Sequence, residues 1–345
     1  MSYLRDSTKE TAECKGLTLS PLWMTPAIGF SMGAVKPSHT DTHEFGTVRD
    51  FLRFAVSRFR QSGVVFGQGT TNALDEAAFL ILETLHLPPD DINPWLEAKL
   101  SGPERDLLGA RIAARVEARK PAAYLTGITY LQGMPFHVDG RVIVPRSYIA
   151  ELLFSEAFAG GESSLIADPA GIRRVLDLCT GSGCLAALAA RAFPNADIDA
   201  VELSADALSV ARRNVEELGL AERIRLLEGD LFRPVMSERY DLIIANPPYV
   251  GAEAMETLPP EYRHEPALAL DGGKDGLDLV RRILAEARRH METGGGLLCE
   301  IGRGRELLED DYPELEFFWL DTAESSGEVF WITAGQLRAQ RSPAR

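Results

Sequence analysis

Apolar residues recur along the first third of the chain with the spacing of helices. In three runs they stand three or four positions apart, so that they share one helix face. The three runs are Val48 to Ala55, Ala77 to Leu85, and Glu104 to Arg119. Residues 1–40 mix Ser, Thr, Pro and Gly without a sustained period, and we interpret them as a flexible extension. We therefore predict a helical domain over residues 41–120.

The pattern changes after the third helical run. β-branched and aromatic residues occupy positions 124–144, around Gly133 and the turn-like pair Asp139 and Gly140. Such a composition is typical of two paired strands. We predict a β-hairpin linker over residues 121–150.

From about residue 173 onward, short apolar strands alternate with helices, an order typical of a parallel sheet. The predicted strands are 175–178, 198–202, 224–227, 242–245 and 297–301, and the predicted helices begin at Gly183, Ala205 and Leu277. Two further apolar runs, 317–320 and 329–332, are separated by a polar stretch and predict a closing antiparallel hairpin. The predicted fold class is α/β, with a Rossmann-like, mostly parallel sheet of seven strands over residues 151–345.

Length and charge restrict the partners. A chain of 345 residues exceeds the usual size of one domain, so two domains are expected. The 51 acidic residues outnumber the 36 basic ones and give a net charge of −15. Such a balance does not favour the phosphate backbone of nucleic acids, and direct DNA binding is not expected. A basic partner would be attracted instead.

Other classes of site find little support. The six histidines show no zinc-ligand spacing and no G-K-[ST] motif is present, so neither a metal nor a nucleoside triphosphate is expected. The four cysteines lack CxxC spacing, which favours free thiols in a reducing compartment. No apolar run reaches about 18 residues, and acidic residues stand where a signal peptide would be basic and then apolar. We expect a soluble, cytoplasmic protein without membrane association.

An acidic residue and a glycine loop follow the first predicted strand of the sheet. Asp177 ends the strand, and the loop leads into a helix. The loop residues are Cys179, Thr180, Gly181, Ser182 and Gly183. Glycines let the backbone approach a ligand, and the switch point of an open sheet leaves a crevice for one. Taken alone the loop is ambiguous, because residues 181–186 also satisfy the GxGxxA pattern of dinucleotide-binding proteins.

Two acidic residues at later strand ends make the pattern more specific. Glu202 ends the second strand, where a carboxylate can accept both ribose hydroxyls of a nucleoside. Asp230 follows the third strand and can accept a hydrogen bond from the adenine amine, with Leu231 beside the adenine. Either acid alone could simply cap the next helix or stay solvated. Together, the three strand ends converge on one nucleoside.

The most specific motif is Asn246-Pro247-Pro248-Tyr249, at the end of the fourth strand. An amide or aromatic amine nitrogen is a poor nucleophile because its lone pair is delocalised, so its N–H groups must be held and the nitrogen aimed at a sulfonium methyl group. The side-chain carbonyl of Asn246 and the backbone carbonyl of Pro247 can accept the two hydrogens. Two prolines stiffen the loop, and Tyr249 offers a flat stacking face. Asn246, Pro247 and Tyr249 are the predicted catalytic residues, and Pro248 completes the substrate site.

A competing motif lies near the amino terminus. Residues 29–33 spell the GxSxG of serine hydrolases. They stand in the unpatterned extension, without the strand, turn and helix that a nucleophile elbow needs. We interpret this match as accidental.

The glycine loop, the NPPY motif and the segment from Glu265 to Leu277 together resemble the bacterial protein-glutamine methyltransferases. The resemblance covers about residues 45–335. It implies a class I methyltransferase fold, S-adenosylmethionine as cofactor, and methylation of the side-chain amide of a glutamine in a GGQ motif. One branch of this family acts on peptide-chain release factors and the other on the third large-subunit ribosomal protein.

The linker distinguishes the two branches. From Arg141 to Leu152 it reads RVIVPRSYIAEL, similar to the ribosomal-protein branch, whereas the release-factor branch has PRPDTE after the same proline. The residues from Phe66 to Asp75 are also similar to the ribosomal-protein branch. The resemblance therefore implies a basic ribosomal protein as the substrate, recognised by the helical domain, with release factors as the alternative.

By the same resemblance, the cofactor contacts are residues 179–183, Glu202 and Asn246, and the substrate amide is held by residues 246–249. The sequence departs from the family at Cys179, where glycine is commoner, at Glu202, where Asp is frequent, and at Tyr148, where proline is frequent. None of these changes removes a required hydrogen-bond acceptor.

Three rival functions stay open. A DNA adenine methyltransferase would use the same NPPY chemistry on a flipped base, but it needs a basic surface toward DNA. A nicotinamide dehydrogenase could use the glycine loop and Glu202, yet it has no use for the NPPY motif. A non-enzymatic assembly scaffold that retains a cofactor fold is the third.

Overall fold

In this computed structural model, residues 44–339 are described. They belong to one compact unit that begins at Thr42. The predicted extension at 1–40 and the GxSxG match at 29–33 lie outside the described residues. The domain boundaries at 120 and 150 stay predictions. No helix within the described part of the chain is long and apolar enough to cross a bilayer.

Four helices build the amino-terminal part. They are Val48–Gln61 (α1), Ala73–Thr84 (α2), Gly102–Glu117 (α3) and Ala122–Thr126 (α4). The first begins at the predicted place because Thr47 and Asp50 form a capping box, in which each side chain accepts a hydrogen bond from the other residue's backbone N–H. The apolar faces of these helices meet in one buried core that contains Phe51, Phe59 and Leu80.

A hairpin follows the helices, as predicted. Its antiparallel strands are Ile128–Leu131 (β1) and Met134–His137 (β2). Gln132 and Gly133 form the two-residue turn, with φ values of +50° and +72°, the left-handed backbone that a type I′ turn requires. The Asp139 and Gly140 pair lies beyond the second strand. A short helix, Ile149–Leu152 (α5), leads into the sheet.

Seven strands form the main sheet. They are Arg174–Leu178 (β3), Asp197–Glu202 (β4), Ile224–Glu228 (β5), Tyr240–Ala245 (β6), Met291–Glu300 (β7), Phe318–Leu320 (β8) and Val329–Thr333 (β9). The order across the sheet is β5-β4-β3-β6-β7-β9-β8. The strands from β5 to β7 are parallel to their neighbours, and β9 is antiparallel to both β7 and β8. The predicted α/β fold class, with its closing antiparallel hairpin, is confirmed.

Helices cover both faces of this sheet. They are Cys184–Ala192 (α6), Ala205–Glu217 (α7), Asp278–Ala287 (α9) and Arg305–Asp311 (α10). The short helix Ala252–Thr257 (α8) follows the NPPY motif and buries no residue. Ile244 packs into the core that contains α6, and its neighbour Ile243 packs into the core that contains α9. Burial on both faces explains why the central strands are continuously apolar.

The strand order places a switch point beside β3. From β3 the chain proceeds to β4 and β5 on one side, and then to β6 and β7 on the other. In open α/β sheets, ligands bind outside the carboxyl ends of the strands at such a point. The predicted site residues all lie at or just beyond the carboxyl ends of β3, β4, β5 and β6.

A buried ion-pair network joins the helices to the segment that follows the NPPY motif. The Arg115 guanidinium lies 2.6 Å from a carboxylate oxygen of Glu76 and 3.4 Å from one of Glu261. All three side chains are buried. Arg119 approaches the same Glu261 oxygen to 3.3 Å. Removal of one partner of a buried pair typically costs about 3–5 kcal/mol because it leaves an uncompensated charge, so the helical part and the segment after the NPPY motif depend on each other for charge pairing.

Candidate active site

A cavity of about 110 Å³ opens at the carboxyl ends of β3, β4, β5 and β6. Predicted residues from all four strand ends contribute to its wall. They are Cys179, Gly181, Glu202, Asp230, Leu231, Asn246 and Pro248. The structure therefore brings the predicted cofactor side and the predicted substrate side together around one space.

Asp177, Thr180 and Ser182 do not line the cavity. Asp177 is 1% exposed and accepts a hydrogen bond of 2.5 Å from the Thr180 hydroxyl. Burial raises the pKa of Asp177 to about 7; the Thr180 bond opposes the rise and the charge of Glu202 adds to it. The Ser182 carbonyl accepts a bond of 2.9 Å from Asn214 on α7. These residues therefore shape the loop rather than line the cavity.

Glu202 fixes the loop from the next strand. One carboxylate oxygen accepts the Gly181 backbone N–H at 2.9 Å, and the other accepts the Ser204 N–H at 3.0 Å. A carboxylate has about four lone-pair sites, so both oxygens keep capacity for a further donor. Glu202 thus connects the ends of β3 and β4 and still presents acceptors to the cavity.

Two wall residues have a strained backbone. Cys179 has φ = +59° and Leu231 has φ = +49°, in the left-handed region that favours glycine. Glycine adopts this conformation without strain, whereas cysteine at position 179 does not. Strained residues of this kind cluster at ligand sites. Burial, with Glu202 and Asp177 nearby, raises the pKa of the Cys179 thiol, which disfavours the nucleophilic thiolate form.

Asp230 is engaged with a neighbouring cation. Its two carboxylate oxygens accept hydrogen bonds of 2.8 and 2.7 Å from one terminal nitrogen of Arg282 on α9. The Arg233 side chain lies farther away, at 3.8 Å. Asp230 therefore reaches the cavity wall as part of an ion pair, and any adenine contact would share this carboxylate with Arg282.

Asn246 stands apart because its carboxamide is free. No residue among 44–339 makes a hydrogen bond with this side chain, although it lines the cavity. Pro248 lies on the same wall, whereas Pro247 is buried behind it. A free carboxamide beside two rigid prolines is an acceptor held ready for a ligand.

Tyr249 is held from the end of the neighbouring strand β7. Its hydroxyl donates a hydrogen bond of 3.1 Å to Glu300, which ends β7 and is fully buried. The same carboxylate accepts the Ser147 hydroxyl at 2.7 Å and the Tyr148 backbone N–H at 2.9 Å. Burial raises the pKa of Glu300, while the bonds from Ser147 and Tyr249 oppose that rise. This carboxylate thus connects the NPPY motif to the linker.

Glu300 and Ser147 were missed at the sequence level. An isolated acidic residue at the end of the apolar strand Leu297 to Ile301 was the available signal, because buried carboxylates require partners. Its partners stand about 50 and 150 positions away in the sequence, and no local pattern reports them.

The glycine-rich stretch 271–276 supports the NPPY backbone directly. The Gly272 N–H donates to the Val250 carbonyl at 2.9 Å, and the Val250 N–H donates to the Leu270 carbonyl at 2.8 Å. A Cβ on Gly272 would lie 2.8 Å from the Pro248 carbonyl oxygen, and one on Gly276 would overlap the Tyr249 carbonyl oxygen. Only residues without a side chain allow this close approach of two backbones.

Comparison with known proteins gives independent information about the family. Residues 164–258 match the Methyltransferase small domain family. A ribosomal protein uL3 glutamine methyltransferase from Bradyrhizobium diazoefficiens is 57% identical over 295 residues, covering 85% of this chain and 92% of that protein. One from Bordetella pertussis is 52% identical over 299 residues, covering 87% and 99%.

Among solved structures, a methyltransferase from Pyrococcus furiosus matches 59% of this chain and 90% of its own, with 21% identity and a TM-score of 0.43. The sequence relatives are much closer, since more than half of their residues are identical over nearly their whole length. On that ground the chain belongs to the family of ribosomal protein uL3 glutamine methyltransferases.

Proposed function

We propose that this protein transfers a methyl group from S-adenosylmethionine to the side-chain amide nitrogen of a glutamine in ribosomal protein uL3. The free carboxamide of Asn246, on the wall of the cavity beside Pro248, carries this assignment. It offers an acceptor for an amide N–H that no residue among 44–339 already occupies. Relatives that are 52–57% identical bear this activity in their names.

The cavity fits the nucleoside part of the cofactor. Gly181 has φ = +57°, and a Cβ added to it would meet no protein atom within 4 Å, so the loop leaves room at the cavity wall. Glu202 supplies acceptors for ribose hydroxyls, and the wall beyond it is apolar at Leu203, Leu231 and Leu279. When bound, S-adenosylmethionine would supply an electrophilic methyl group on a sulfonium.

The residues of the NPPY motif would then orient the acceptor. The Asn246 side-chain oxygen accepts one N–H of the substrate amide, and the Pro247 backbone carbonyl accepts the other. Held in this way, the nitrogen would be aimed at the methyl group without prior deprotonation, and positioning supplies most of the effect. On transfer the methylated amide would release one of its N–H protons to water, with S-adenosylhomocysteine as the other product. The Tyr249 ring forms the adjoining surface, fixed through its hydroxyl by Glu300.

The charge of the chain suits such a substrate. Ribosomal proteins are basic, and a chain of net charge −15 attracts them over a distance set by the ionic strength. A reaction on a newly made ribosomal protein would take place in the cytoplasm.

The decisive experiment offers the purified protein three acceptors with labelled S-adenosylmethionine: uL3, a release factor and duplex DNA. The label is located by peptide mass spectrometry. Asn246→Ala is compared with Asn195→Ala, which removes an exposed carboxamide far along the chain from the motif. We expect label on one glutamine of uL3, lost in Asn246→Ala and kept in Asn195→Ala.

Other outcomes would redirect the assignment. Label on the release factor alone would assign the enzyme to the release-factor branch of the family. Label on DNA would exclude a protein substrate. Full biological activity of a catalytically dead Asn246→Ala protein in cells would favour an assembly scaffold instead.

A further inference from the structure

Part of the cavity wall comes from two segments that the predicted site does not include. One is the linker stretch 141–143, and the other is 266–269, which follows the NPPY loop. The wall residues from these segments are Arg141, Val142, Ile143, Pro266, Leu268 and Ala269. The two segments stand more than 120 positions apart in the sequence, so their meeting is a tertiary feature.

Glu265 joins the two segments. It precedes Pro266, and its side chain is fully buried. Its carboxylate accepts the Val144 backbone N–H at 3.0 Å, and it accepts two hydrogen bonds from Arg146 at 2.6 and 2.7 Å. A fork of two parallel bonds between a guanidinium and a carboxylate is the strongest common form of ion pair. Val144 directly follows Ile143, so these bonds lie immediately behind the cavity wall.

The surroundings keep this pair in place. The Arg146 guanidinium also donates to the Val144 carbonyl at 2.9 Å and lies over the Tyr262 ring, 5.3 Å from its centre. On the linker side, Val142 and Val144 are buried in a small core with Val210 of α7. The helix α7 follows Glu202, so the linker is anchored beside the predicted ribose contact.

The rim formed by the second segment is apolar and open. Leu268 is 55% exposed although it lines the cavity. Burial of an exposed apolar side chain against a ligand is favourable by about 25 cal/mol per Å². A flat heterocycle in the cavity would cover this side chain together with Ile143.

We propose that segments 141–143 and 266–269 form a cover over the cofactor, fastened by the Arg146–Glu265 pair, and that Leu268 and Ile143 contact the nucleoside. Cofactor affinity then depends on the linker as well as on the glycine loop. This inference rests on the proposed function, since it takes the ligand to be S-adenosylmethionine.

The test measures binding of S-adenosylmethionine and S-adenosylhomocysteine by calorimetry, without any protein substrate. Leu268→Ala is compared with Leu74→Ala, because Leu74 is 54% exposed on α2 and does not line the cavity. We expect Leu268→Ala to weaken both ligands by about fivefold to tenfold and Leu74→Ala to leave the Kd unchanged. Ile143→Ala should weaken binding in the same direction.

A second pair of variants tests the fastening. Glu265→Gln is compared with Glu261→Gln, whose side chain is equally buried and ion-paired but contacts the helices. Both should lower Tm, and only Glu265→Gln should raise the Kd of the cofactor and speed its dissociation. Should Glu265→Gln fail to fold, the Leu268 and Ile143 variants still test whether the two segments contact the cofactor.

The outcomes distinguish failure of the proposed function from failure of the cover alone. If the wild-type protein binds neither ligand, the proposed function and the cover both fail. If the wild type binds and Leu268→Ala and Ile143→Ala bind equally well, the cover alone is overturned. An equal change in Kd for Glu265→Gln and Glu261→Gln would also overturn the fastening role, because it would reflect general destabilisation.

Discussion

The Tyr249 hydroxyl donates a hydrogen bond of 3.1 Å to the Glu300 carboxylate, which joins the last residue of the NPPY motif to the end of β7. Glu300 also holds Ser147 and the Tyr148 backbone of the linker. One buried carboxylate therefore fixes the position of the aromatic ring relative to the chain that precedes the sheet. This relationship makes Glu300 a positioning residue whose effect on the reaction passes through Tyr249.

Tyr249→Phe and Glu300→Gln should both lower kcat, on the order of tenfold, because a displaced ring loosens the aim at the acceptor nitrogen. KM for the cofactor should change little, since neither residue lines the cavity. Steady-state kinetics on uL3 would check this, with Tyr312→Phe, which does not line the cavity, as the control. Additive losses in the double variant would contradict the coupling, because residues that act through one bond are not additive.

Gly276→Ala should lower kcat by more than about a hundredfold, because the Cβ of the alanine would overlap the Tyr249 carbonyl oxygen. Gly294→Ala is the matched control. Both glycines have positive φ, +89° and +93°, but an added Cβ at Gly294 meets nothing within 4 Å. The control should lose about 1–2 kcal/mol of stability from backbone strain and keep its activity. Equal kinetic losses in the two variants would show that strain, not the close approach, controls the motif.

Asp177 should make the free energy of unfolding fall with rising pH. Its pKa is raised from 3.8 to about 7 by burial, so the folded state binds a proton more tightly than the unfolded state. The resulting stabilisation is complete below about pH 4 and is lost as the pH rises through about 7. Asp177→Asn keeps an acceptor for Thr180 but does not titrate. The difference in stability between wild type and variant, from urea titrations at several pH values, should decline over this interval; a constant difference would contradict the shift.

Added salt should weaken capture of the protein substrate. Exposed charges separated by more than about 10 Å are screened at 0.1 M ionic strength, so KM for basic uL3 should rise severalfold between low and high salt. KM for a short uncharged glutamine peptide should stay nearly constant under the same conditions. A parallel rise for both acceptors would point to an effect on the enzyme rather than on electrostatic attraction.

The alternation of strands and helices was readable from the sequence because buried parallel strands are continuous apolar runs. The start of β7 could not be read from the sequence in this way. Its glycines at 294–296 resemble a turn, yet Gly296 pairs with Leu242 and Thr333 inside the sheet. A Cβ at Gly296 would overlap the Trp331 indole, which lies across the strand. That glycine therefore belongs to a strand for a tertiary reason that no local pattern shows.

In the candidate site, too, some residues could be predicted from the sequence and others could not. Residues at strand ends, such as Glu202 and Asn246, were predictable because parallel strands end at one edge of the sheet. The strained backbone of Cys179 was not, since cysteine does not favour the left-handed region. The contribution of Leu268 to the cavity could not be foreseen either. In our proposal it depends on the Arg146–Glu265 pair, whose two residues stand 119 positions apart in the sequence.

The Arg115–Glu261 contact spans 146 positions of the chain, and it constrains how the molecule comes together during synthesis. The helices leave the ribosome long before Glu261 is made, and until then Arg115 has the Glu76 carboxylate and the Val65 carbonyl as partners. Completion of the buried ion-pair network must wait for the segment beyond β6, and a chain that ends at Pro121 would leave Arg115 without Glu261. Folding of the two parts should therefore be cooperative, with a single transition rather than two.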